Sequence, residues 1–394
     1  MEQKPSVSGT ICELNPLHRG HALLLSRMRA CSDLVVCVMS GFFVQRGEPA
    51  LLSPWARAEM ALACGADLVV LLPVSFAVSR AERFAWGGVR LLSSLGVDTL
   101  WFGSECGNAR QLDQLAEILL SPEFSQALRP YLAEGLSFAH ARTRAVGDLL
   151  GETAADLLRG ANNTLGTEYA KANRILGHPL SLFSVPRKGA GHDESLVPDT
   201  LFQSASHLRQ MEQQGQPIAP FLPEAVAAIF AREKERGSLC RLSSMEPALL
   251  SFLRRMQPTD FSNLPECSEG IERRLYHAVR ENSTLSSVLE HAKTKRYTMA
   301  RLRRMALHAF LNLSEDCLPP DIPFAFILGI SERGLRYAAQ CPFPLVMSHR
   351  QMLSLPTGSK ILLDQERFAC DQFSLFQDRP GPCGMFDRHP FVKF

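Results

Sequence analysis

Two histidines three residues apart, His18 and His21, stand where an apolar strand pattern changes to a helical pattern, with Gly20 between them. At a helix start, side chains with this spacing share one face and lie beside backbone N–H groups that lack intrahelical partners. The positive end of the helix dipole adds to the attraction for an anion. Imidazole N–H groups there can donate to phosphoryl oxygens and stabilise the charge that develops when a nucleophile attacks the α-phosphorus of a nucleotide. Gly20 lets a phosphate or a base approach the backbone.

The same segment is also compatible with a tight strand–helix turn that carries two solvated histidines, and the spacing alone does not separate the two interpretations. A metal pair is less favoured, because His18 and His21 supply half a site and no third ligand is close in sequence. We therefore predict no protein-bound metal.

A second candidate is the loop in residues 38–59, which follows an apolar run and reads VMSGFFVQRGEPALLSPWARAE. Arg46 can bind a phosphate or a carboxylate through two parallel hydrogen bonds. Arg57 and Glu59, on the helix that follows, are candidates for orienting the loop. An ordinary surface loop with an exposed arginine is the alternative. The loop residues considered for substrate binding are Ser40, Gly41, Gln45 and Arg46.

Two polar segments further along the chain follow strands or precede helices. In FGSE (102–105), Gly103 allows close contact with a ligand, and Glu105 can accept from a hydroxyl or hold a cation. A helix N-cap at Ser104 is the structural alternative. Asn162 and Asn163 precede a helical pattern, so one of them can cap the helix while the other binds a base or ribose.

Two further segments suit an anion. Arg187 and Lys188 follow a strand pattern and precede two glycines, which is typical of a phosphate-contacting turn. SASHLR (204–209) is a helix start at which the hydroxyls of Ser204 and Ser206 and the free N–H groups favour a phosphate.

A basic run lies between residues 293 and 304, where six Lys and Arg residues occur with no acid among them and Tyr297 is interleaved. Such a run suits a nucleic-acid backbone and an unpaired base. A solvated helix face is the alternative. The residues of this run that we assign to RNA are Lys293, Lys295, Arg296, Tyr297, Arg301 and Arg304.

The elements that must position these residues alternate in type over the first hundred residues. Apolar strand patterns at 7–14, 33–40, 66–74 and 97–105 are separated by helical patterns, which predicts a parallel sheet with right-handed crossovers. In such sheets ligands bind at the carboxyl ends of the strands, which is where the first three motifs fall. The helical patterns between these strands lie at 20–31, 53–65 and 81–96.

The remainder of the chain is mainly helical. We predict helices through most of 108–176, a strand at 181–187 and a helix from about Ser204, and we place a domain boundary in the Gln/Pro/Gly-rich stretch that begins near 214. The division is 1–213, an α/β catalytic domain, and 214–394, a helical domain with a small mixed end. The patterns in the second part are helices at 245–257, 268–282, 284–292 and 296–313, followed by strand-like runs at 324–331 and 344–348.

Composition is that of a globular protein: 394 residues, 46% hydrophobic and 21% charged, with a net charge of +2. The charge is uneven, at −3 for residues 1–170 and +5 for the rest, which favours an anionic partner for the C-terminal part. Eleven cysteines without a C-x-x-C pair indicate thiols in a reducing compartment. Neither a signal peptide nor an apolar run of about 18 residues is found, so we expect a cytoplasmic protein with no membrane partner.

Taken together and in order, these segments resemble one family, the bacterial tRNA(Met) cytidine acetate ligases of the HIGH-motif nucleotidyltransferase-like superfamily. NPLHRGH alone indicates only the superfamily, whereas SGFFVQRGEPA and KTKRYT are specific. The segments that carry the resemblance are ICELNPLHRGH, MSGFFVQRGEPA, FGSE, NNTLGTEYAKA, VPRKGAG, SASHLR and AKTKRYT, which span residues 11–298.

The resemblance implies a Rossmann-like nucleotidyltransferase domain that activates acetate with ATP as acetyl-adenylate. It implies transfer of the acetyl group to N4 of the wobble cytidine of elongator tRNA(Met), with Mg²⁺ accompanying the triphosphate. Residues 11–24 would bind ATP, with His18 and His21 on the triphosphate as the catalytic pair. The ATP-binding residues are then Ile11, Glu13, Asn15, Pro16, His18, Gly20, His21, Leu24, Gly103, Asn162 or Asn163, and Arg187, to which the local patterns add Lys188, Ser204 and Ser206.

The sequence departs from the family pattern at two places. Phe42 stands where the family usually has Asn, and the loop after Arg187 lacks the aromatic residue that commonly precedes its His-Asp pair. Two other functions stay open. One is a nucleotidyltransferase acting on a phosphorylated small molecule, against which the basic run argues. The other is a non-catalytic RNA-binding protein, against which the intact His18 and His21 argue.

Overall fold

A mostly parallel sheet is the centre of the molecule. The computed structural model describes residues 5–187, 202–268, 270–388 and 391–394. Eight strands form one sheet in the order β10–β8–β5–β2–β1–β6–β7 with β9 beside β8, and β3 and β4 form a separate hairpin. The strands are β1 (Val7–Cys12), β2 (Leu34–Ser40), β3 (Phe43–Val44), β4 (Glu48–Pro49), β5 (Leu68–Leu72), β6 (Thr99–Ser104), β7 (Ser181–Pro186), β8 (Ala325–Ile330), β9 (Leu345–Val346) and β10 (Val392–Lys393).

The predicted parallel sheet is confirmed. From β5 to β7 every neighbouring pair is parallel. β2 and β5 are buried at every position, as expected for central strands that are covered by helices on both faces. The parallel arrangement brings the carboxyl ends of β1, β2 and β6 to one edge, where the chemical motifs follow.

Helices of the first part cover this sheet. The predicted helix after Ser53 is confirmed, since the Ser53 hydroxyl accepts from the N–H of Ala56 at 3.2 Å and Pro54 occupies the first turn. The helices are α1 (Arg19–Cys31), α2 (Pro54–Ala63), α3 (Val74–Ala77), α4 (Ala81–Ser94), α5 (Ala109–Leu119), α6 (Pro122–Ala133), α7 (Phe138–Leu150), α8 (Glu152–Leu157), α9 (Ala161–Ile175) and α10 (Ala205–Gln213).

The second part is mainly helical with a small mixed end, as predicted. Its last strands join the sheet of the first part, because β8 pairs antiparallel with β5 and β10 pairs parallel with β8. The division at residues 213 and 214 stays a prediction. The helices are α11 (Glu224–Arg236), α12 (Leu242–Arg255), α13 (Pro258–Ser262), α14 (Ile271–Glu281), α15 (Leu285–Ala292), α16 (Met299–Phe310), α17 (Glu332–Ala338), α18 (His349–Leu353), α19 (Lys360–Leu375) and α20 (Met385–Arg388).

The structure differs from the sequence patterns in three elements. The predicted boundary region leads directly into α11, whose Arg232 forms an ion pair with Glu59 of α2. The loop after β2 contains the hairpin β3–β4. The predicted helix at 296–313 begins only at Met299, because the hydroxyl of Thr298 caps it, so 293–298 is a connecting segment. No helix in the described ranges is long and apolar enough to span a membrane.

One buried carboxyl group connects the C-terminal helix α19 to the sheet. Glu366 is 3% exposed, and its Oε1 accepts from the backbone N–H of Val74 at the start of α3. Its Oε2 lies near Gly41 and has no hydrogen-bond partner among the described residues. Burial raises the pKa of Glu366 to about 8, despite the opposing effect of the Val74 hydrogen bond.

This burial predicts a pH dependence of stability. The folded-state pKa lies above the unfolded value, so the protonated carboxyl stabilises the fold at low pH and this contribution is lost as the pH rises toward 8. Relative to wild type, Glu366→Gln should therefore gain up to about 1.4 kcal/mol per pH unit in unfolding free energy between about pH 5 and 8. Urea unfolding at several pH values across this range measures the difference in unfolding free energy. Glu235→Gln, on the exposed face of α11, is the control. A pH-independent difference would contradict the assignment.

Candidate functional site

The predicted site residues converge on a cavity of about 310 Å³ at the carboxyl edge of the sheet, between the starts of α1, α9 and α10. A smaller cavity of about 90 Å³ adjoins it and shares His18, His21, Leu24, Gly103 and Arg187. Of the predicted residues, those lining one or both cavities are Ile11, Glu13, Asn15, His18, Gly20, His21, Leu24, Gln45, Arg46, Gly103, Asn162, Arg187, Ser204 and Ser206.

The two histidines form a stacked pair at the start of α1, with ring centroids 3.8 Å apart. His18 is the N-cap residue, and its Nδ1 accepts from the N–H of Gly20 at 3.0 Å. Nδ1 of His21 accepts from the N–H of His18 at 3.4 Å. Because both Nδ1 atoms accept hydrogen bonds, the proton of each neutral ring resides on Nε2. The pair thus offers two Nε2–H donors.

His21 is held neutral. Burial, the neighbouring His18 and the Arg187 guanidinium together lower the pKa of His21 well below its usual value. A neutral imidazole still donates one hydrogen bond, and a bound polyanion would favour its protonation. The neighbouring positive groups that disfavour protonation of His21 are also groups that would attract a triphosphate.

Buried arginine and asparagine side chains fix the turn that carries the histidines. Arg57 is fully buried and donates to the backbone carbonyls of Glu13, Gly41 and Leu52. Burial lowers the pKa of Arg57 to about 10, which still leaves it charged at neutral pH. The prediction that Arg57 orients the loop is confirmed, whereas Glu59 pairs with Arg232 instead.

The peptide bond between Asn15 and Pro16 in this turn is cis. The Asn15 side-chain oxygen accepts from the N–H of Leu51 at 2.8 Å, which ties the histidine turn to the segment before α2. Pro16 is buried and supports the turn without lining either cavity.

Hairpin β3–β4 places Gln45 and Arg46 on the rim of the cavity. The N–H of Gln45 donates to a Glu13 carboxylate oxygen at 2.8 Å, and Arg46 donates to the Ser206 hydroxyl at 3.1 Å. Burial raises the pKa of Glu13, an effect that the Gln45 hydrogen bond reduces. Ser40 and Gly41 are buried below the hairpin and do not line the cavity.

Phe42, which replaces the usual Asn of the family, belongs to the core. It is 1% exposed and packs against the rings of Trp55, Phe373 and Phe386. The substitution therefore replaces a polar side chain by apolar contact with α19 and α20, and Phe42 does not line the cavity.

The asparagines at the start of α9 have roles other than the predicted cap. The Glu105 carboxylate accepts from the backbone N–H groups of Asn162 and Asn163, at 3.1 and 2.6 Å, and so caps the helix itself. Burial raises the pKa of Glu105, but these hydrogen bonds outweigh it and hold the pKa below its usual value. Asn163 is buried and accepts from the N–H of Cys106, whereas Asn162 lines the cavity. Asn108, and not Ser104, caps α5 by accepting from the N–H of Gln111.

Arg187 completes the far side of the cavity. Its guanidinium donates to the Asn162 side-chain oxygen at 3.3 Å, and its side chain crosses the face of Gly103, where a Cβ would lie 3.4 Å from Cγ of Arg187. Ser204 caps α10 by accepting from the N–H of His207. Lys188 and the GAGHDE loop lie outside the described residues.

Among the cavity-lining residues that sequence reasoning missed, Arg209 and Tyr169 carry polar groups on long side chains. Arg209 donates to the Asn15 carbonyl at 2.7 Å and pairs with the Glu48 carboxylate, so it connects α10, the histidine turn and the hairpin. Its presence at the end of SASHLR was the available signal. Tyr169 lies within NNTLGTEYAKA, but only its packing against Phe102 shows which way it faces.

The basic run divides into two groups. Lys293, Lys295 and Arg296 are exposed in the connecting segment before α16. The other three residues assigned to RNA also make internal contacts, and their contact with RNA stays a prediction. Tyr297 is 7% exposed, so its ring is not open to a base. Arg304 forms a largely buried ion pair with the Glu266 carboxylate, and Arg301 donates to the backbone carbonyl of Glu266.

Metal-ligand geometry is not found in the described ranges, where no group of three His, Cys, Asp or Glu side chains could hold an ion. The donors around the cavity are imidazoles, guanidinium groups and hydroxyls, a set that suits anionic oxygens. The site is therefore built to bind a polyanion.

Comparison with known proteins agrees with this geometry. The family model described as HIGH Nucleotidyl Transferase matches residues 6–371. The tRNA(Met) cytidine acetate ligase of Caldanaerobacter subterraneus subsp. tengcongensis is 35% identical over 401 residues, covering 98% of this chain and 99% of the relative. The ligase of the same name from Listeria monocytogenes serotype 4b (strain CLIP80459) is 36% identical over 382 residues, covering 93% and 94%.

Solved structures show the same similarity. The apo crystal structure of Thermotoga maritima TmcAL superposes with a TM-score of 0.92 at 31% identity, covering 99% of this chain and all of the other. The structure of that protein bound with alpha-thio ATP gives a TM-score of 0.90 at 30% identity. The chain therefore belongs to the HIGH nucleotidyl transferase family and, within it, to the tRNA(Met) cytidine acetate ligases, which are ligase enzymes.

Proposed function

We propose that the protein activates acetate with ATP as acetyl-adenylate and transfers the acetyl group to N4 of the wobble cytidine of elongator tRNA(Met) in the cytoplasm. The observation that carries this proposal is the stacked His18–His21 pair at the start of α1, facing Arg187 across the cavity. The names of relatives that match almost the full chain supply the acyl donor and the acceptor.

The two cavities offer places for the adenine ring and the triphosphate of ATP. The smaller cavity is lined by Leu24, Val185, Pro186 and Phe202, which suits the adenine ring. Gly103 leaves room for the Arg187 side chain, which crosses its face and borders the same cavity. The triphosphate then lies where the two cavities meet, between the histidine pair, Arg187 and the positive dipole end of α1. The alpha-thio ATP bound to the Thermotoga maritima protein supports this assignment.

Adenylation follows from this placement. An acetate oxygen attacks the α-phosphorus in line, the bond to the bridging oxygen breaks, and pyrophosphate leaves with the electron pair. Negative charge develops on the phosphoryl oxygens, and the Nε2–H donors of His18 and His21 and the Arg187 guanidinium stabilise it. Acetate approaches from the side of Gln45 and Arg46, and Arg46 supplies the cation for its carboxylate.

Transfer to the cytidine is the second step. The N4 amino group attacks the acetyl carbonyl carbon, the bond to the adenylate oxygen breaks, AMP leaves, and N4 loses a proton. The cytidine must leave the anticodon stack to reach the anhydride. The exposed Lys293, Lys295 and Arg296 lie in the segment that leads to α16, and α16 packs on the hairpin at Gly47. We therefore assign the exposed part of the basic run to the tRNA backbone.

Mg²⁺ enters this proposal with the nucleotide. It binds phosphate oxygens while keeping several waters, and it needs few protein ligands when a triphosphate is present. The donor set described above suits the triphosphate rather than a bare cation, which is consistent with an ion carried by the substrate.

The direct test incubates the protein with ATP, Mg²⁺, labelled acetate and an unmodified elongator tRNA(Met) transcript, followed by nucleoside analysis. Labelled N4-acetylcytidine is the expected product. AMP and pyrophosphate that form with acetate but without label in the tRNA would refute the acceptor and keep the adenylation site. Absence of both products with normal ATP binding would favour a nucleotidyltransferase with another substrate, and absence of ATP binding would favour a non-catalytic RNA-binding protein.

The His21→Ala variant should release pyrophosphate at least about 100-fold more slowly in the presence of acetate, because removing one donor to a developing oxyanion costs about that much. Binding of tRNA should stay within about twofold, since His21 lies away from the basic segment. Pyrophosphate release and filter binding measure the two effects. His207→Ala on α10 is the matched control. Near-normal turnover of His21→Ala would refute the catalytic assignment of His21.

The Arg209→Ala variant should lower kcat for adenylation roughly tenfold with a small change in KM for ATP, because charge-assisted hydrogen bonds that hold the histidine turn contribute about 1.5–3 kcal/mol each. Arg209→Lys should recover part of kcat, since lysine keeps the charge but lacks the planar fork. Steady-state pyrophosphate release, measured at varied ATP concentrations, gives kcat and KM separately. An effect confined to KM would show that Arg209 binds ATP rather than positioning the turn.

A further inference from the structure

The turn between α6 and α7, residues 134–137, exposes apolar side chains on both sides. Leu132 at the end of α6 is 41% exposed and Phe138 at the start of α7 is 58% exposed. The α6–α8 helices have a small core of their own, built around Phe124, Ala145 and Val146. Neither Leu132 nor Phe138 belongs to that core, so packing of the fold does not account for them.

A cationic side chain, Arg296, lies against this turn, and Lys295 precedes it in the chain. A Cβ on Gly135 would lie 3.1 Å from Nη2 of Arg296, so the guanidinium rests directly on the turn. Neither Arg296 nor Lys295 has an acidic partner within ion-pair distance in the described ranges, although Lys293 pairs weakly with Glu290 at 3.5 Å. The acid of the turn itself is Glu134, which is exposed.

The two elements that flank this surface, α7 and the segment before α16, are connected to elements that line the cavity. One turn of helix beyond Phe138, Arg142 forms an ion pair with Glu168 of α9, and the first half of α9 lines the cavity. On the other side, a Cβ on Gly47 would meet the backbone of Arg303 and Arg304 in α16, within about two helical turns of Arg296. Gly47 follows Arg46, which lines the cavity. The elements that carry this surface therefore contact elements that line the cavity.

We propose that Phe138, with Leu132 at the other end of the turn and Arg296 against the turn, is a stacking surface for an unpaired base of the tRNA anticodon loop. The chemistry is that of single-stranded nucleic-acid binding, in which an exposed ring stacks on a base while cations contact the phosphates. The inference rests on the proposed function, because it takes the anticodon loop as the partner. The sequence assigned tRNA binding to the basic run alone. The proposal adds a tRNA contact from α7, in the first part of the chain.

The test measures affinity of the full-length protein for an elongator tRNA(Met) transcript. Phe138→Ala should weaken binding about fivefold or more, as expected for loss of base stacking, while Phe138→Trp stays near wild type. Phe394→Ala is the matched control, because Phe394 is equally exposed at 59% and lies at the far end of the chain. Thermal unfolding confirms that each variant keeps the fold.

Salt dependence separates stacking from charge. Phe138→Ala should leave the slope of log affinity against log salt unchanged, whereas Arg296→Ala should reduce the slope by about 0.7. A 2-aminopurine in the anticodon loop should be quenched by wild type and less by Phe138→Ala. Wild-type affinity in Phe138→Ala, or a loss equal to that of Phe394→Ala, overturns the proposal.

Acetate-dependent pyrophosphate release without tRNA distinguishes this outcome from failure of the proposed function. The reaction should be unchanged in Phe138→Ala, because Phe138 lines neither cavity. If wild type acetylates the tRNA while Phe138→Ala binds it normally, only the stacking surface is wrong. If wild type does not acetylate the tRNA, the proposed function itself has failed.

Discussion

The buried guanidinium of Arg57 is the constraint on which the site depends. It donates to three backbone carbonyls, those of Glu13 after β1, Gly41 after β2 and Leu52 before α2. Each of these carbonyls would otherwise be buried without a partner, at a cost of about 1–3 kcal/mol. One charged side chain thus fixes the ends of two neighbouring strands, from which the histidine turn and the hairpin both begin.

The histidine pair shows how backbone geometry sets chemistry. Both Nδ1 atoms accept backbone N–H groups of the first turn of α1, so the rings are oriented and the tautomers are fixed before any ligand arrives. Each of the two side chains caps the helix through its Nδ1, and in the proposed function each binds a phosphate oxygen through its Nε2. Preorganised donors of this kind need no rearrangement when charge develops.

Long-range contacts from α10 and from the second part of the chain support the same site. Phe42 packs against Phe373 of α19, and Glu366 of that helix accepts from Val74 behind the hairpin. Arg209 of α10 joins the histidine turn to β4. The histidine turn and the β3–β4 hairpin are thus held in place by helices that lie more than 150 residues away in sequence.

The sequence by itself determined the parallel sheet and the histidine turn. Apolar runs such as LVVCVMS and LVVLL have few alternatives to buried strands, and capping signals such as Ser53–Pro54 act through neighbouring residues. Spacing also placed Gly103, Asn162 and Arg187 after strands or before helices, where they do line the cavity.

Only the tertiary structure decided how individual polar groups are used. Glu105 caps α9 from another element, Arg304 pairs with Glu266, and Arg209 reaches the Asn15 carbonyl. The partners in each pair are at least 38 residues apart, so no local pattern records them. Local periodicity fixes which residues are buried and which begin a helix, because those effects act within a few residues. Which carboxylate meets which guanidinium depends on chain segments brought together by the folded core, and that information lies outside any single motif.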